Sequence, residues 1–286
     1  KIRCHSFYIG MLEQRNSIWP REPSKDDDYE HRVRILFAKS DSGWESVLDC
    51  PGWKATYPKK VEWTVAFDGR DLGKLESEDI SDSASFVNFF ARDKIHKPNS
   101  TYKIPKVGKP TTEFSGWMGG AYLRPLVLVS ANNYKDPQKW KPYKPSQSEI
   151  HRIMPLFREV VGKVMRCEAG SHTSIPFNYA DNDVNAFKSY RAITGEAIIS
   201  IGFRPEQIKC GGVPGEHPEW TPQWFYISPD KEVTHIGNRM RLVDAGDYDN
   251  DGVSEVVFWA DRYNLDGYIM FFDGFAKNTD YMWSYH

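Results

Sequence analysis

The chain has 286 residues, enough to bury the core of one large β domain or of two ordinary ones. Its formal net charge of −2 lacks the basic excess that a nucleic-acid-binding surface needs, so nucleic acid is not an expected partner. It contains no apolar run of about 18 residues, so no membrane-spanning helix is expected.

Short strands separated by turn signals fill most of the N-terminal half. Alternating β-branched and aromatic residues predict the strands, and Ser40-Asp-Ser-Gly43 and Asp68-Gly69 predict the turns of two hairpins. Pro125 restricts one end of a further apolar strand, because proline cannot donate to a sheet ladder. The predicted strands are 31–38, 44–48, 61–67, 72–75 and 123–129.

One segment has helical periodicity. Ser146-x-x-Glu149 has the pattern of a capping box, and an apolar stripe follows at helical spacing. The stripe consists of Ile150, Met154, Phe157, Val161 and Val164. We expect it to pack against a sheet. Pro155 is expected to kink the helix or to delay its start.

The rest of the chain returns to strands, at 198–203, 223–227, 232–236, 267–272 and 280–285. Turn signals recur without a fixed period, and 76–120 and 165–190 have no regular pattern. Many short strands with frequent turns are typical of all-β proteins. The predicted fold class is therefore all-β and mainly antiparallel, irregular, with one helical insertion near 146–166.

The segment 247–255 has the oxygen-donor spacing of a Ca²⁺-binding loop. Carboxylates stand at positions 1, 3, 5 and 9, a glycine at position 6 permits a sharp turn, and position 7 offers a backbone carbonyl. Four carboxylates so close together would repel one another without a cation. The predicted Ca²⁺ ligands are Asp247, Asp249, Asp251, Val253 and Glu255. The alternative is an acidic surface turn without metal.

The flanks separate this loop from an EF-hand, which has a glutamate at position 12 and a helix on each side. Position 12 is Phe258, and both flanks favour strands. Residues 243–257 therefore resemble the FG-GAP or VCBS-type repeat, the Ca²⁺ hairpin of integrin-α-like β-propellers. Glu255 stands where that family usually has aspartate.

The resemblance implies a β-propeller-like arrangement, and the prediction is a single irregular domain over 1–286 with five or six blades. A regular propeller would show a steadier repeat than this chain does. The alternative is two β-rich domains, 1–145 and 186–286, joined by a helical segment.

Four cysteines, with neither a C-x-x-C nor a zinc-type spacing, favour two disulfides over metal binding through sulfur. They are Cys4, Cys50, Cys167 and Cys210. Of three possible connectivities we favour Cys4–Cys50 with Cys167–Cys210, because each pair closes a loop of moderate length; the alternative is four buried thiols.

The chain begins at Lys1, so an N-terminal segment is expected to have been removed. The expected location is secreted, periplasmic or at the cell surface.

Two loops place a tryptophan among glycines, Trp53 in Cys50-Pro-Gly-Trp53 and Trp117 in Ser115-Gly-Trp-Met-Gly-Gly120. An exposed tryptophan there would be a platform for a sugar ring or an apolar partner group, whereas a buried one would anchor its loop. His172 and His217 are scattered candidates for bases or ligands.

The sequence contains no nucleophile elbow, zinc-protease or phosphate-loop motif. The predicted function is therefore a Ca²⁺-stabilised β module that binds a protein or glycan partner, with the calcium structural. The alternative is a secreted hydrolase or lyase that assembles carboxylates and a histidine on a β scaffold.

Overall fold

The computed structural model describes residues 7–16, 29–49, 60–78, 93–94, 105, 107–109, 111–114, 122–167, 174–204, 221–262 and 264–284. These residues form mainly antiparallel β-sheets and one α-helix, which confirms the predicted fold class. Each predicted strand is present; 223–227 has the predicted bounds, and the ends of the others are shifted.

Contacts divide the chain into two compact units. The first unit comprises Lys1–Pro137 and Arg241–His286, and the second unit comprises Gln138–Met240. Each unit has its own hydrophobic core. Whether the chain is one propeller-like domain or two domains stays a prediction.

The first unit contains a sheet of N-terminal strands in the order β3-β2-β1-β7-β4-β5, with β6 paired to β2. Its strands are β1 (Tyr8–Asn16), β2 (Tyr29–Ser40), β3 (Gly43–Ser46), β4 (Lys60–Phe67), β5 (Arg70–Glu78), β6 (Asp93–Lys94) and β7 (Leu126–Val129). Asp68 and Gly69 join β4 to β5 with φ of 48° and 72°. Two positive φ values suit the twist of a two-residue hairpin turn, which is why an Asp-Gly pair stands there.

A second sheet of the first unit is a meander, in which each strand pairs with the next. Its strands are β15 (Met240–Gly246), β16 (Glu255–Arg262), β17 (Leu265–Phe272) and β18 (Lys277–Ser284). Four strands in sequence order are typical of a propeller blade. The N-terminal sheet lacks that order, because β7 lies between β1 and β4.

Both sheets of the first unit contribute to a single core. Trp63 from β4 and Trp259 from β16 are almost wholly buried in it. A buried ion pair lies within it as well: Arg34 donates from Nε to Glu13 Oε1 at 2.9 Å, and the Tyr268 hydroxyl donates to the same oxygen at 3.0 Å. Glu13 and Arg34 belong to β1 and β2 and Tyr268 to β17, so the pair joins the two sheets.

The second unit is a five-stranded sheet covered by a helix. The sheet order is β14-β13-β12-β11-β8, and β9 and β10 form a separate pair. The elements are β8 (Lys141–Pro142), α1 (Gln147–Val161), β9 (Met165–Cys167), β10 (Ser174–Pro176), a 3-10 turn (Asp181–Asp183), β11 (Asn185–Arg191), β12 (Ala197–Gly202), β13 (Gln223–Ile227) and β14 (Val233–Asn238). None of the helices in the described residues has the length and apolarity that a membrane crossing needs.

Helix α1 begins where the capping box predicts. Glu149 donates its backbone N–H to Ser146 Oγ at 3.3 Å, and Ser146 donates its own to Glu149 Oε2 at 2.9 Å. The predicted apolar stripe is buried in the second core, where Phe157 packs against Phe203 and Phe225. Of the two effects expected of Pro155, a delayed start is excluded, because the helix begins at Gln147 and Pro155 lies inside it; the kink stays a prediction.

We expect Ser146→Ala to lower the free energy of unfolding by about 1 kcal/mol, because Glu149 N at the helix start loses its side-chain acceptor. Gln147→Ala changes the next residue without touching the capping bonds and is the matched control. Urea denaturation followed by circular dichroism measures both. Equal stabilities of the two variants would contradict the capping role.

Candidate metal centre

The loop between β15 and β16 is wound around the carboxylate of Asp247. Asp251 N donates to Oδ1 and Gly252 N to Oδ2, each at 3.0 Å. Asn250 and Gly252 have φ of 63° and 93°, in the left-handed region that allows so tight a turn. The glycine at position 6 is thus required by backbone conformation.

Three carboxylates converge inside this loop. Asp247, Asp249 and Glu255 each offer an oxygen within 4.8 Å of the others, and all three residues are buried. Glu255 reaches the cluster from the first residue of β16, where its Oε2 accepts from Tyr248 N at 2.8 Å. The cluster could hold a metal ion, and its all-oxygen donor set fits a hard cation.

The N-terminal sheet supplies a cation and a hydrogen-bond donor to the cluster. The ammonium of Lys39, at the end of β2, is ion-paired with Asp249 Oδ2. Trp44 Nε1, from β3, donates to Glu255 Oε1 at 3.1 Å. Lys39 Nζ lies 5.4 Å from the centroid of the Trp44 ring. Neither residue is near the loop in sequence.

The electrostatics of the loop reflect unbalanced negative charge. Burial, and after it the charge of Asp249, raise the pKa of Glu255 to about 8. Burial also raises the pKa of Asp247, although two backbone N–H groups oppose the shift. Burial would lower the pKa of Lys39, but its bond to Asp249 prevails and the pKa is raised. One ammonium therefore faces three carboxyl groups, and a bound cation or a proton on Glu255 would balance the charge that remains.

A second buried carboxylate network holds the base of the loop. Asp244, in β15, accepts from the hydroxyl groups of Tyr134 at 2.8 Å and Tyr248 at 3.2 Å. Its other oxygen accepts from Asp68 N at 2.7 Å, in the turn between β4 and β5. Burial raises the pKa of Asp244 to about 6, against the opposing charge of Arg124. This network fastens the β15–β16 hairpin to the N-terminal sheet.

The segment 134–136 fastens the same hairpin from another side. Asp247 N donates to the Lys135 carbonyl at 2.9 Å, and Ser254 Oγ donates to Asp136 Oδ1 at 2.8 Å. A Cβ at Gly246 would lie 2.3 Å from the Tyr134 ring, so only glycine fits there. Both ends of the loop are thus fixed independently of any ion.

The structure brings three of the five predicted ligands together. Asp251 is exposed and stands outside the buried cluster, and its Oδ1 accepts from Val253 N at 2.8 Å. Val253 is 40% exposed at the loop tip. That Asp251 and Val253 are metal ligands stays a prediction.

Several other predicted site residues lie outside the described residues. These are Trp53, Trp117, Cys4, Cys50, Cys210, His172 and His217. Cys167 ends β9, but its side chain is not among those described. Neither the tryptophan platforms nor the disulfide pairings are therefore tested.

One histidine does have a carboxylate partner. His151 Nδ1 lies 2.8 Å from Asp181 Oδ2, and Arg158 is ion-paired with the other oxygen of Asp181. The side chain of His151 is 82% exposed. The three groups form a surface ion-pair network in the second unit, where water weakens their interactions.

No protein-family model, no curated protein and no solved structure matches the chain. The resemblance to FG-GAP and VCBS-type repeats therefore rests on residues 243–257 alone.

We expect Asp244→Ala to lower the free energy of unfolding by about 3 kcal/mol, because the buried hydroxyl groups of Tyr134 and Tyr248 and the Asp68 N–H lose their acceptor. Asp71→Ala is the control, since Asp71 accepts from Gly73 N in an exposed bond at the start of β5. Denaturation followed by tryptophan fluorescence compares the two. A loss no larger for Asp244→Ala than for Asp71→Ala would contradict a structural role for this network.

Proposed function

We propose that the protein is a Ca²⁺-stabilised β module that binds a partner, and that the calcium is structural. The observation that carries the proposal is the convergence of three buried carboxylates on one side of a hairpin. Buried charges are stable when they are paired or bind a metal. Lys39 balances only one of the three.

Asp247, Asp249 and Glu255 would hold the ion, together with Asp251 and the Val253 carbonyl that the spacing predicts. The bound ion would supply positive charge and hold the ends of β15 and β16 together. Because an ion that binds only the folded state stabilises it, calcium affinity would add to the free energy of unfolding.

Calcium is favoured over other metals by the donors and by the resemblance. Oxygen ligands in one short loop suit Ca²⁺, whereas zinc would draw on cysteine or histidine. The hairpin setting between β15 and β16 supports the FG-GAP or VCBS-type assignment. A secreted, periplasmic or cell-surface location follows from this proposal, since weak Ca²⁺ sites fill where calcium is plentiful.

Binding is favoured over catalysis. The alternative of a hydrolase or lyase is supported by the His151–Asp181 pair, a histidine with a carboxylate partner. Catalytic pairs act in sites that exclude water, whereas His151 is open to solvent. We therefore propose a protein or glycan surface as the partner.

Removal of calcium with EGTA should lower the melting temperature, and added Ca²⁺ should restore it. At a free concentration of about 100 times Kd the expected stabilisation is about 2.7 kcal/mol, or several degrees for a chain of this size. Differential scanning calorimetry measures the shift, and Asp249→Asn should abolish it. An unchanged melting curve of the stripped wild-type protein would refute a stabilising ion.

Lys39→Met should tighten Ca²⁺ binding by about tenfold, because the ammonium no longer competes for Asp249. Methionine keeps an unbranched apolar stem beside Trp44. Lys74→Met is the control, since the Lys74 ammonium donates to Thr64 Oγ1 and the Asn132 carbonyl. Titration calorimetry gives both affinities. Weaker binding by Lys39→Met would mean that the lysine supports the ion instead of competing with it.

A further inference from the structure

An open groove of about 730 Å³ runs along one edge of the sheet in the second unit. Six consecutive residues of β11, 185–190, line it. Because successive side chains of a strand point to opposite faces, such a run means that the groove follows the strand's edge. The segment 142–145 and the start of α1 also line it, and Tyr143 N donates to the Ser189 carbonyl of β11 at 3.1 Å.

Three aromatic rings line this groove, and two of them are held by neighbours. The Arg191 guanidinium lies 4.0 Å from the Tyr143 ring centroid, and the Tyr190 ring stacks on Trp224 at 6.5 Å with an interplanar angle of 16°. The third ring, Phe187, is 44% exposed. An exposed ring of this size offers an apolar surface on which a ligand can pack.

Polar groups line the groove as well. Asp181 is ion-paired with Arg158 and His151 at the surface, and Asn185 Nδ2 donates to the Asp183 carbonyl at 3.2 Å. The groove therefore presents carboxylate and amide groups next to its aromatic residues.

We propose that this groove binds an oligosaccharide of neutral pyranose rings. A pyranose has an apolar C–H face that stacks on aromatic rings and hydroxyl groups that bond to carboxylates and amides, and the groove offers both. Its open form suits a chain of sugars better than one small molecule. The inference rests on the proposed binding function, to which it adds a place and a ligand class.

A peptide strand added to β11 fits less well. β8 pairs only with Tyr190 and Arg191, which leaves the first residues of β11 without a strand on that side among the described residues. However, the register of β11 shifts between Ala186 and Lys188. Such a bulge interrupts the regular ladder that an added peptide strand needs.

The test is native gel electrophoresis of the full chain in gels containing barley β-glucan, arabinoxylan, galactomannan or hydroxyethylcellulose. At least one polysaccharide should retard the protein. Phe187→Ala should weaken the apparent affinity about tenfold or more, the usual loss for a central aromatic contact. Asn182→Ala, at an exposed position in the groove, should weaken it less.

Ile193→Ala is the matched control. Ile193 is 66% exposed in the turn after β11 and does not line the groove, so its removal should leave the retardation unchanged. Circular dichroism checks that each variant is folded. Retardation by none of the four polysaccharides overturns the inference, and so does retardation that Phe187→Ala leaves intact. Binding of extended peptides in place of polysaccharides would overturn it as well.

The calcium proposal is tested on the same samples by the melting shift with EGTA. Asp249→Asn should lose that shift and keep the retardation, because the loop lies in the first unit and the groove in the second. Failure of the melting test with retardation intact would refute the calcium site alone. Failure of retardation with a normal melting shift would refute the groove alone.

Discussion

The burial of three carboxylates at one hairpin is the constraint on which the first unit depends. Charged groups away from water need compensation, and here it comes from three sources. Backbone N–H groups of the loop satisfy Asp247, an indole satisfies Glu255, and an ammonium pairs with Asp249. The positions of the loop, of β2 and of β3 are therefore linked by charge as well as by the apolar core.

Local signals account for most of the fold. The Asp68-Gly69 turn and the Ser146 cap have short-range chemistry, and the structure has both where the sequence predicts them. Local sequence patterns do not predict strands β1 and β11. In β1 the buried Glu13 and Gln14 break the alternation of apolar and polar residues, because a salt bridge to Arg34 replaces apolar contact. In β11, with which β8 pairs only at Tyr190 and Arg191, polar and aromatic residues are intermixed.

The candidate site likewise contains residues that the sequence predicts and residues that it does not. Ligand spacing within nine residues predicts the loop and its glycine, because the constraint is local. Lys39 and Trp44 have no such signal, since only the folded sheets bring them to the loop. Asp244 precedes the predicted ligand loop 247–255. One of the tyrosine hydroxyl groups that donate to it belongs to Tyr134, 110 residues away in the chain. Long-range polar contacts of this kind have no periodicity to detect.

The bond between Trp44 and Glu255 spans 211 residues of chain. Contacts so distant in sequence form slowly, because a long loop must close before they contribute free energy. During synthesis the strands of the N-terminal sheet leave the ribosome before β16 has been made. The hydrogen bond from Trp44 in β3 to Glu255 can therefore form only after the last part of the chain has been synthesised. We therefore expect the hairpin to join late in folding, and a growing chain to keep part of its apolar surface uncovered until then.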